Sequence, residues 1–203
     1  MSLLRRLVPA SLRRWRFVLS QLEPAERRAL LAEAWRMTAG RASWRARVRS
    51  ARRVSFVCHG NIIRSPFAAV AFASRARQRG LPLEVVSAGV AAMPGETADA
   101  RAALSATERG ESLASHRATP IDDEHVRGAD VLFVMDRLNL ARVVGRHPDA
   151  AGKVFLLAGC REDGGLSLAE IHDPVAGTLD DVRRSHDEVL AALARVLAAF
   201  DAP

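Results

Sequence analysis

The sequence predicts an α/β fold: a four-stranded parallel sheet with helices on both faces, preceded by an N-terminal helical extension. Three observations predict it. From Val54 onward, short apolar runs alternate with longer stretches of helical period, the signature of strand–helix–strand units. Four such runs can be counted. Before Val54 the composition changes: residues 1–53 hold fourteen arginines against Glu23, Glu26 and Glu33, a net +11, whereas the remainder holds sixteen basic and twenty acidic residues, a net −4. The formal charge of +7 is therefore an average over a basic extension, residues 1–53, and a mildly acidic body, residues 54–203.

The elements follow in order. Pro24 suits the first turn of a helix running to about Met37, with Leu30, Leu31, Ala34 and Trp35 as its apolar stripe. Upstream, Leu4, Leu7, Leu12, Trp15 and Leu19 are interleaved with Arg; Gly40 breaks the pattern, and Ser43 to Arg53 is an Arg-rich lead into the body. Val54–Val57 reads as a buried strand. Ser65 to about Arg79 reads as a helix closed by Gly80 and Pro82. Leu83–Val86 is the second strand, Ala98–Arg109 a helix stopped by Gly110, and Val131–Met135 the third strand. A helix from Leu138 to about Gly145 ends near Pro148, Val154–Leu157 is the fourth strand, and Leu179–Phe200 is a long helix. Val182, Val189, Leu190, Leu193, Val196 and Leu197 form its apolar side.

With 203 residues, 49% of them hydrophobic, the chain can bury one core of ordinary size. Two cysteines, Cys58 and Cys160, make no disulfide framework and point to a reducing, cytoplasmic setting. No apolar run reaches the roughly 18–20 residues that span a bilayer. The stretch from Leu7 to Val18 is broken by Arg13, Arg14 and Arg16, which argues against a secretory signal.

Chemistry concentrates where the first strand meets its helix, in Cys58-His59-Gly60-Asn61-Ile62-Ile63-Arg64-Ser65-Pro66. Five residues between Cys58 and Arg64 are enough to wrap a loop around one tetrahedral anion. Gly60 and Asn61 tolerate left-handed backbone, so amides can turn inward. Inward amides and a helix start make an anion site, and the same dipoles favour thiolate at Cys58. Arg64 can grip two phosphate oxygens with its planar fork. The Ser65 hydroxyl can donate to the thiolate, and Pro66 fits a first helical turn. A buried structural cysteine beside a surface arginine is the plain alternative; Gly, Asn, Arg, Ser and Pro at useful offsets speak against it. An anion-binding loop without catalysis is excluded only by a general acid.

This stretch resembles the loop of the low-molecular-weight protein tyrosine phosphatase family, C-x-G-N-x-x-R-S-P. The resemblance runs from about Val54 to the C-terminus, through Ser87-Ala88-Gly89, Ser115-His116-Arg117-Ala118, Val134-Met135-Asp136 and Asp173-Pro174. It implies a four-stranded parallel sheet and two-step phosphomonoester hydrolysis with no metal or other cofactor. Cys58 matches the nucleophile, Arg64 the phosphate grip and Asp173 the general acid. His59, Gly60, Asn61, Ile62, Ile63 and Ser65 match the substrate-binding loop. Asn61, Ser87 and His116 match positions that brace it. The implied partner is a phosphotyrosine-containing protein or another aryl phosphomonoester.

The departures concern substrate and protection. Many relatives carry a second cysteine directly before the loop arginine; here that position is Ile63. Aromatic residues often follow the Asp-Pro pair; here Val175 and Ala176 do. Met93 stands nearest to a position that often carries Trp. Ile62 agrees with tyrosine-type members, since arginine phosphatases tend to place Thr there. Arsenate reductases need a further cysteine pair, and only Cys160 is present. For the basic extension, the readings are a helical cap on the body, an interfacial membrane contact through Arg with Trp15, Trp35 and Trp44, or a docking arm for an acidic partner. No motif supports nucleic acid. A second class of function, a catalytically weak module that binds anions or phosphoproteins, stays open on the altered cleft walls and the basic arm.

Overall fold

In the computed structural model, residues 10–39 and 44–201 are described. Arg53–Cys58 forms β1, Glu84–Gly89 β2, Val131–Val134 β3 and Val154–Leu156 β4. They make one parallel sheet in the order β2-β1-β3-β4. Ala10–Ser20 is α1, Pro24–Thr38 α2, Trp44–Arg49 α3, Arg64–Gln78 α4, Ala100–Thr107 α5, Asp123–Gly128 α6, Arg137–Arg146 α7 and Leu179–Asp201 α8. Chain order reverses direction across the sheet at β1, so the crevice beyond its carboxyl end is the expected ligand position.

Alternation along β1 assigns the two faces. Val54, Phe56 and Cys58 turn towards α4 and α8, and Val57 turns towards α7. On the first face Phe56 lies edge-on to Phe72 at 5.3 Å and stacked on Phe133 at 5.7 Å. Val182, Val189, Leu193, Val196 and Leu197 of α8 close over this layer, and Leu190 is half-buried beside them. His186 of α8 is also fully buried, its ring stacked on that of Phe67 with centroids 3.7 Å apart and planes nearly parallel. Burial pushes its pKa down to about 4, so the imidazole is neutral.

The second strand starts at Glu84 and runs on to Gly89, beyond the Leu83–Val86 expected from its apolar run. Pairing with β1 up to Cys58–Gly89 extends it through the polar Ser87. Helix α6 carries no apolar stripe; Asp122 caps it by accepting from the His125 amide at 2.7 Å.

The extension packs on both faces of the sheet. Buried Val18, Leu22, Leu30 and Met37 join the core under α7. Trp44 and Val48 join the opposite core under α8, where the Trp44 indole donates to the Gly165 carbonyl. Helix α2 approaches α7 closely: a Cβ on Gly145 would stand 2.9 Å from the Glu26 Cα. Glu26, 5% exposed, pairs with Arg146 and closes a capping box on Glu23. The stripe expected on α2 is corrected by about a quarter turn. Leu30, Ala34 and Met37 face inward with Glu26 and Glu33, while Leu31 and Trp35 are 55% and 58% exposed. Buried Glu33 is tolerated because Arg36 holds it. Leu4, Leu7, Gly40 and Ser43 lie outside the described residues. No described helix is long and apolar enough to cross a membrane.

Trp44→Ala should therefore behave as a core truncation, costing about 3–5 kcal/mol in chemical denaturation. A loss under about 1 kcal/mol would show that the indole contributes little to the body.

Candidate active site

The loop after β1 is shaped by backbone contacts before any side chain acts. Asn61 has φ +54°, a left-handed conformation that Asn tolerates. The loop then presses against β2 at Gly89, where an added Cβ would stand 2.6 Å from the His59 oxygen and 2.8 Å from the Asn61 nitrogen. The Val90 and Ala91 amides donate to the carbonyls of Cys58 and His59 at 3.0 and 2.9 Å. The Asp99 amide donates to Ile62 at 3.0 Å.

Asn61 is the hub of the loop. Its backbone N–H donates to Cys58 Sγ at 3.2 Å. Its amide group donates to Ser65 Oγ at 2.8 Å and Ser87 Oγ at 3.0 Å, and its Oδ1 accepts from the Thr119 amide at 2.9 Å. His116 Nε2 lies 2.7 Å from the Asn61 carbonyl. Ser65 Oγ completes the set, 3.0 Å from Cys58 Sγ. Asn61 and Ser65 are fully buried and do not line the cleft; they act on the sulfur and the loop from behind. The bracing expected of Asn61 and the Ser65 hydroxyl contact to the sulfur thus have the geometry described, while their side chains stay away from the cleft.

Arg64 is 2% exposed, yet its guanidinium faces two carboxylates. Nη1 pairs with Asp136 Oδ2 at 2.8 Å and Nη2 with Asp173 Oδ2 at 2.6 Å. Burial alone would lower its pKa, but Asp136, Cys58 and Asp173 together raise it, so the cation is secure. Asp136 stands just beyond β3, and its other oxygen caps α7 by accepting from the Asn139 amide at 2.8 Å.

Asp173 sits on a loop pinned at both ends. At its start, the Ile171 amide donates to Met135 at 2.8 Å, and Glu170 accepts from the Arg137 amide and Nη2 and from Arg14. Burial alone would raise the Glu170 pKa, but the hydrogen bonds from Arg137 and Arg14 and the Arg137 charge outweigh it and hold it down at about 2. At its end, Arg101 reaches across from α5 to the carbonyls of Gly177 and Val175. Arg101 and Glu170 were not singled out from the sequence, and Asp136 entered it only as the end of the Val134-Met135-Asp136 segment, with no role assigned.

A small cleft of about 100 Å³ opens over this arrangement, lined by Cys58, His59, Gly60, Ile62, Ile63, Arg64, Asp173 and Val175. Its walls are aliphatic; Met93 is 67% exposed and takes no part in it. His59 meets Arg142 at 3.1 Å, and burial with that charge lowers its pKa, so it is a neutral group at the mouth. Cys160 is fully buried and lies outside the cleft, and burial pushes its thiol up. Ile63 occupies the position beside Arg64, so no lining residue can form a disulfide with Cys58. Among the described residues no His, Cys, Asp or Glu cluster could hold a metal ion.

A cysteine at the carboxyl end of β1, a buried arginine at the start of α4 and an aspartate across the cleft define a site for phosphate esters. The family model described as low molecular weight phosphotyrosine protein phosphatase matches residues 53–202, and the chain belongs to that family. The protein-arginine-phosphatase of Bacillus subtilis (strain 168) is 35% identical over 148 residues, 71% of this chain and 93% of that protein. Low molecular weight protein-tyrosine phosphatase A of Mycobacterium tuberculosis (strain ATCC 25618 / H37Rv) is 36% identical over 147 residues, 71% of this chain and 86% of that protein. A YwlE arginine phosphatase solved with a phosphorylated active-site serine superposes with a TM-score of 0.66 at 31% identity, covering 72% of this chain and 93% of that one. Phosphoprotein hydrolysis is the activity that family, fold and relatives share.

Two outcomes follow from this geometry. Gly89→Ala should force the loop from β2 and lower kcat/KM on an aryl phosphate by about 10²-fold while the protein stays folded; wild-type turnover would show the loop can yield. Glu170 gives a pH dependence. Its carboxylate titrates lower when folded than unfolded, so its stabilisation is complete above about pH 4.5 and lost as pH falls towards about 2. Wild type should exceed Glu170→Gln by about 2 kcal/mol at neutral pH, and the gap should close in acid. A gap independent of pH would refute this.

Proposed function

We propose that this chain is a protein tyrosine phosphatase working through a cysteinyl-phosphate. The observation that carries the reading is the convergence of Cys58 Sγ, the Arg64 fork and Asp173 on one cleft with apolar walls. In the first step the Cys58 thiolate attacks phosphorus: the S–P bond forms, the P–O(aryl) bond breaks, and Asp173 gives its proton to the departing phenolic oxygen. In the second, Asp173 takes a proton from water as that water attacks phosphorus. The S–P bond breaks, inorganic phosphate leaves, and the Cys58 thiolate returns to the hydrogen bonds of Ser65 Oγ and Asn61 N–H.

Arg64 supplies the charge for both steps. Without ligand, its Nη2 is occupied by Asp173. A phosphate dianion takes that donor, which frees the carboxyl to face the leaving oxygen. Asp136 keeps the other end of the guanidinium in register.

Tyrosine rather than arginine is favoured by Ile62 and by the cleft walls. Ile62, Ile63 and Val175 offer an apolar bed for a ring. A phosphoarginine guanidinium needs a carboxylate partner of its own, and among the described residues Asp173 is the only carboxylate lining the cleft, already committed to proton transfer with the leaving group. Weak anion binding at this cleft would use the same charge but requires no acid.

Cys58→Ser should abolish turnover, and Asp173→Asn should slow phenyl phosphate far more than p-nitrophenyl phosphate. On paired peptides, kcat/KM should favour phosphotyrosine over phosphoarginine by at least about tenfold, since a buried cation without a partner is rejected. Preference for phosphoarginine would overturn the specificity. Full activity in Cys58→Ser would overturn the mechanism, and a folded but inactive wild type would leave a phosphoprotein-binding module instead.

A further inference from the structure

The extension touches the acid loop itself. Arg14 of α1 presents its fork to both oxygens of Glu170, Nε to Oε2 at 3.0 Å and Nη2 to Oε1 at 3.2 Å. The same carboxylate receives the Arg137 amide at 2.9 Å and Arg137 Nη2 at 2.7 Å. The neighbouring residue of α1, Trp15, lies under the Arg137 guanidinium, 4.8 Å from its ring centroid. Two consecutive residues of one helix thus enclose Glu170 and its partner.

Glu170 stands three residues before Asp173, and Arg137 follows Asp136 directly. These are the two aspartates that hold Arg64. Arg14, Glu170, Ile171, His172 and Asp173 border one hollow beside the cleft. The residue between Glu170 and His172, Ile171, passes its carbonyl to Arg64 Nη1 at 3.4 Å. A shift of Glu170 is therefore carried along three residues of backbone to the acid. Arg14 lies outside the stretch matched by the family, residues 53–202.

We infer that Arg14 of the N-terminal extension is a positioning residue for the acid loop, holding Asp173 through Glu170 in the geometry that protonates the leaving group. The inference rests on the reading of Asp173 as proton donor. Arg14 is 38% exposed on its side chain, and half-exposed ion pairs add little to stability. Its removal should thus be felt in the proton-transfer step more than in the fold.

The test is the ratio of kcat/KM for p-nitrophenyl phosphate to that for phenyl phosphate, measured on the full chain. The first leaving group needs little protonation and the second needs it fully. Arg14→Ala should raise this ratio by about three- to tenfold, through loss on phenyl phosphate, with inhibition by inorganic phosphate unchanged. Arg14→Lys, which keeps the charge without the fork, should fall between. Arg16→Ala, the same charge change at an exposed position of the same helix, should leave the ratio as in wild type. If Arg14→Ala does not fold, Arg14→Gln decides by the same ratio. An unchanged ratio, or equal loss on both substrates, overturns the inference. Asp173→Asn separates the two levels: if it too leaves the ratio unchanged, the proton-donor reading fails, whereas a raised ratio there with none for Arg14 fails this inference alone.

Discussion

A buried arginine that must remain charged sets the terms for the rest of the molecule. Removing a guanidinium from water costs several kcal/mol unless carboxylates meet it with good geometry. Arg64 is met from two directions, by Asp136 and Asp173. Each of those then has to be held. Asp136 is fixed by ending β3 and capping α7. Asp173 is on a loop without regular structure, so its position is bought by long-range contacts: Met135, Arg137 and Arg14 before it, Arg101 after it. The sheet order serves the same end, because it places the ends of β1 and β3 side by side.

The loop itself obeys a different constraint, close approach of backbone to backbone. Cys58 Sγ receives hydrogen bonds from Asn61 N and Ser65 Oγ only if the chain doubles back within three residues. Asn61 supplies the left-handed turn, and Gly89 gives the space on β2. The extension adds a third layer. With α2 against α7 and α3 against α8, it grips the sheet from both faces. Of its three tryptophans, Trp44 is buried in the core, Trp15 lies against Arg137 and Trp35 is 58% exposed.

What could be read in advance divides by range. The strands, α4 and α8 carry their signals locally, in apolar period and in Gly or Pro punctuation. Cys58, Arg64 and Asp173 were legible because the loop motif and the Asp-Pro pair are short and dense. Asp136 was not, because an aspartate before a helix reads first as a cap, and it is indeed one. Arg14 and Glu170 lie 156 residues apart, and Arg101 and Gly177 76 apart; no local pattern announces such pairs. On α2 the sequence Leu30-Leu31…Ala34-Trp35 fits two stripes about 100° apart, and the neighbouring α7 covers the one that continues through Met37. Helix α6 escaped notice because capping, rather than apolar period, makes it.

The pairing of Arg64 with Asp173 also bears on how such a site stays selective. An empty cleft with a bare guanidinium would attract any anion. Here the donor is already satisfied by an internal carboxylate at 2.6 Å, and an incoming group must replace it at lower free energy. A monoanion brings one charge and recovers what it displaces. A phosphate dianion brings two, spans the Arg64 fork, and meets the amide-rich start of α4 as well. The exchange also releases the Asp173 carboxyl, which lines the same cleft. Under the proposed mechanism, binding of the correct charge and release of the acid are therefore one event, and an anion too weak to displace Asp173 leaves it paired with Arg64.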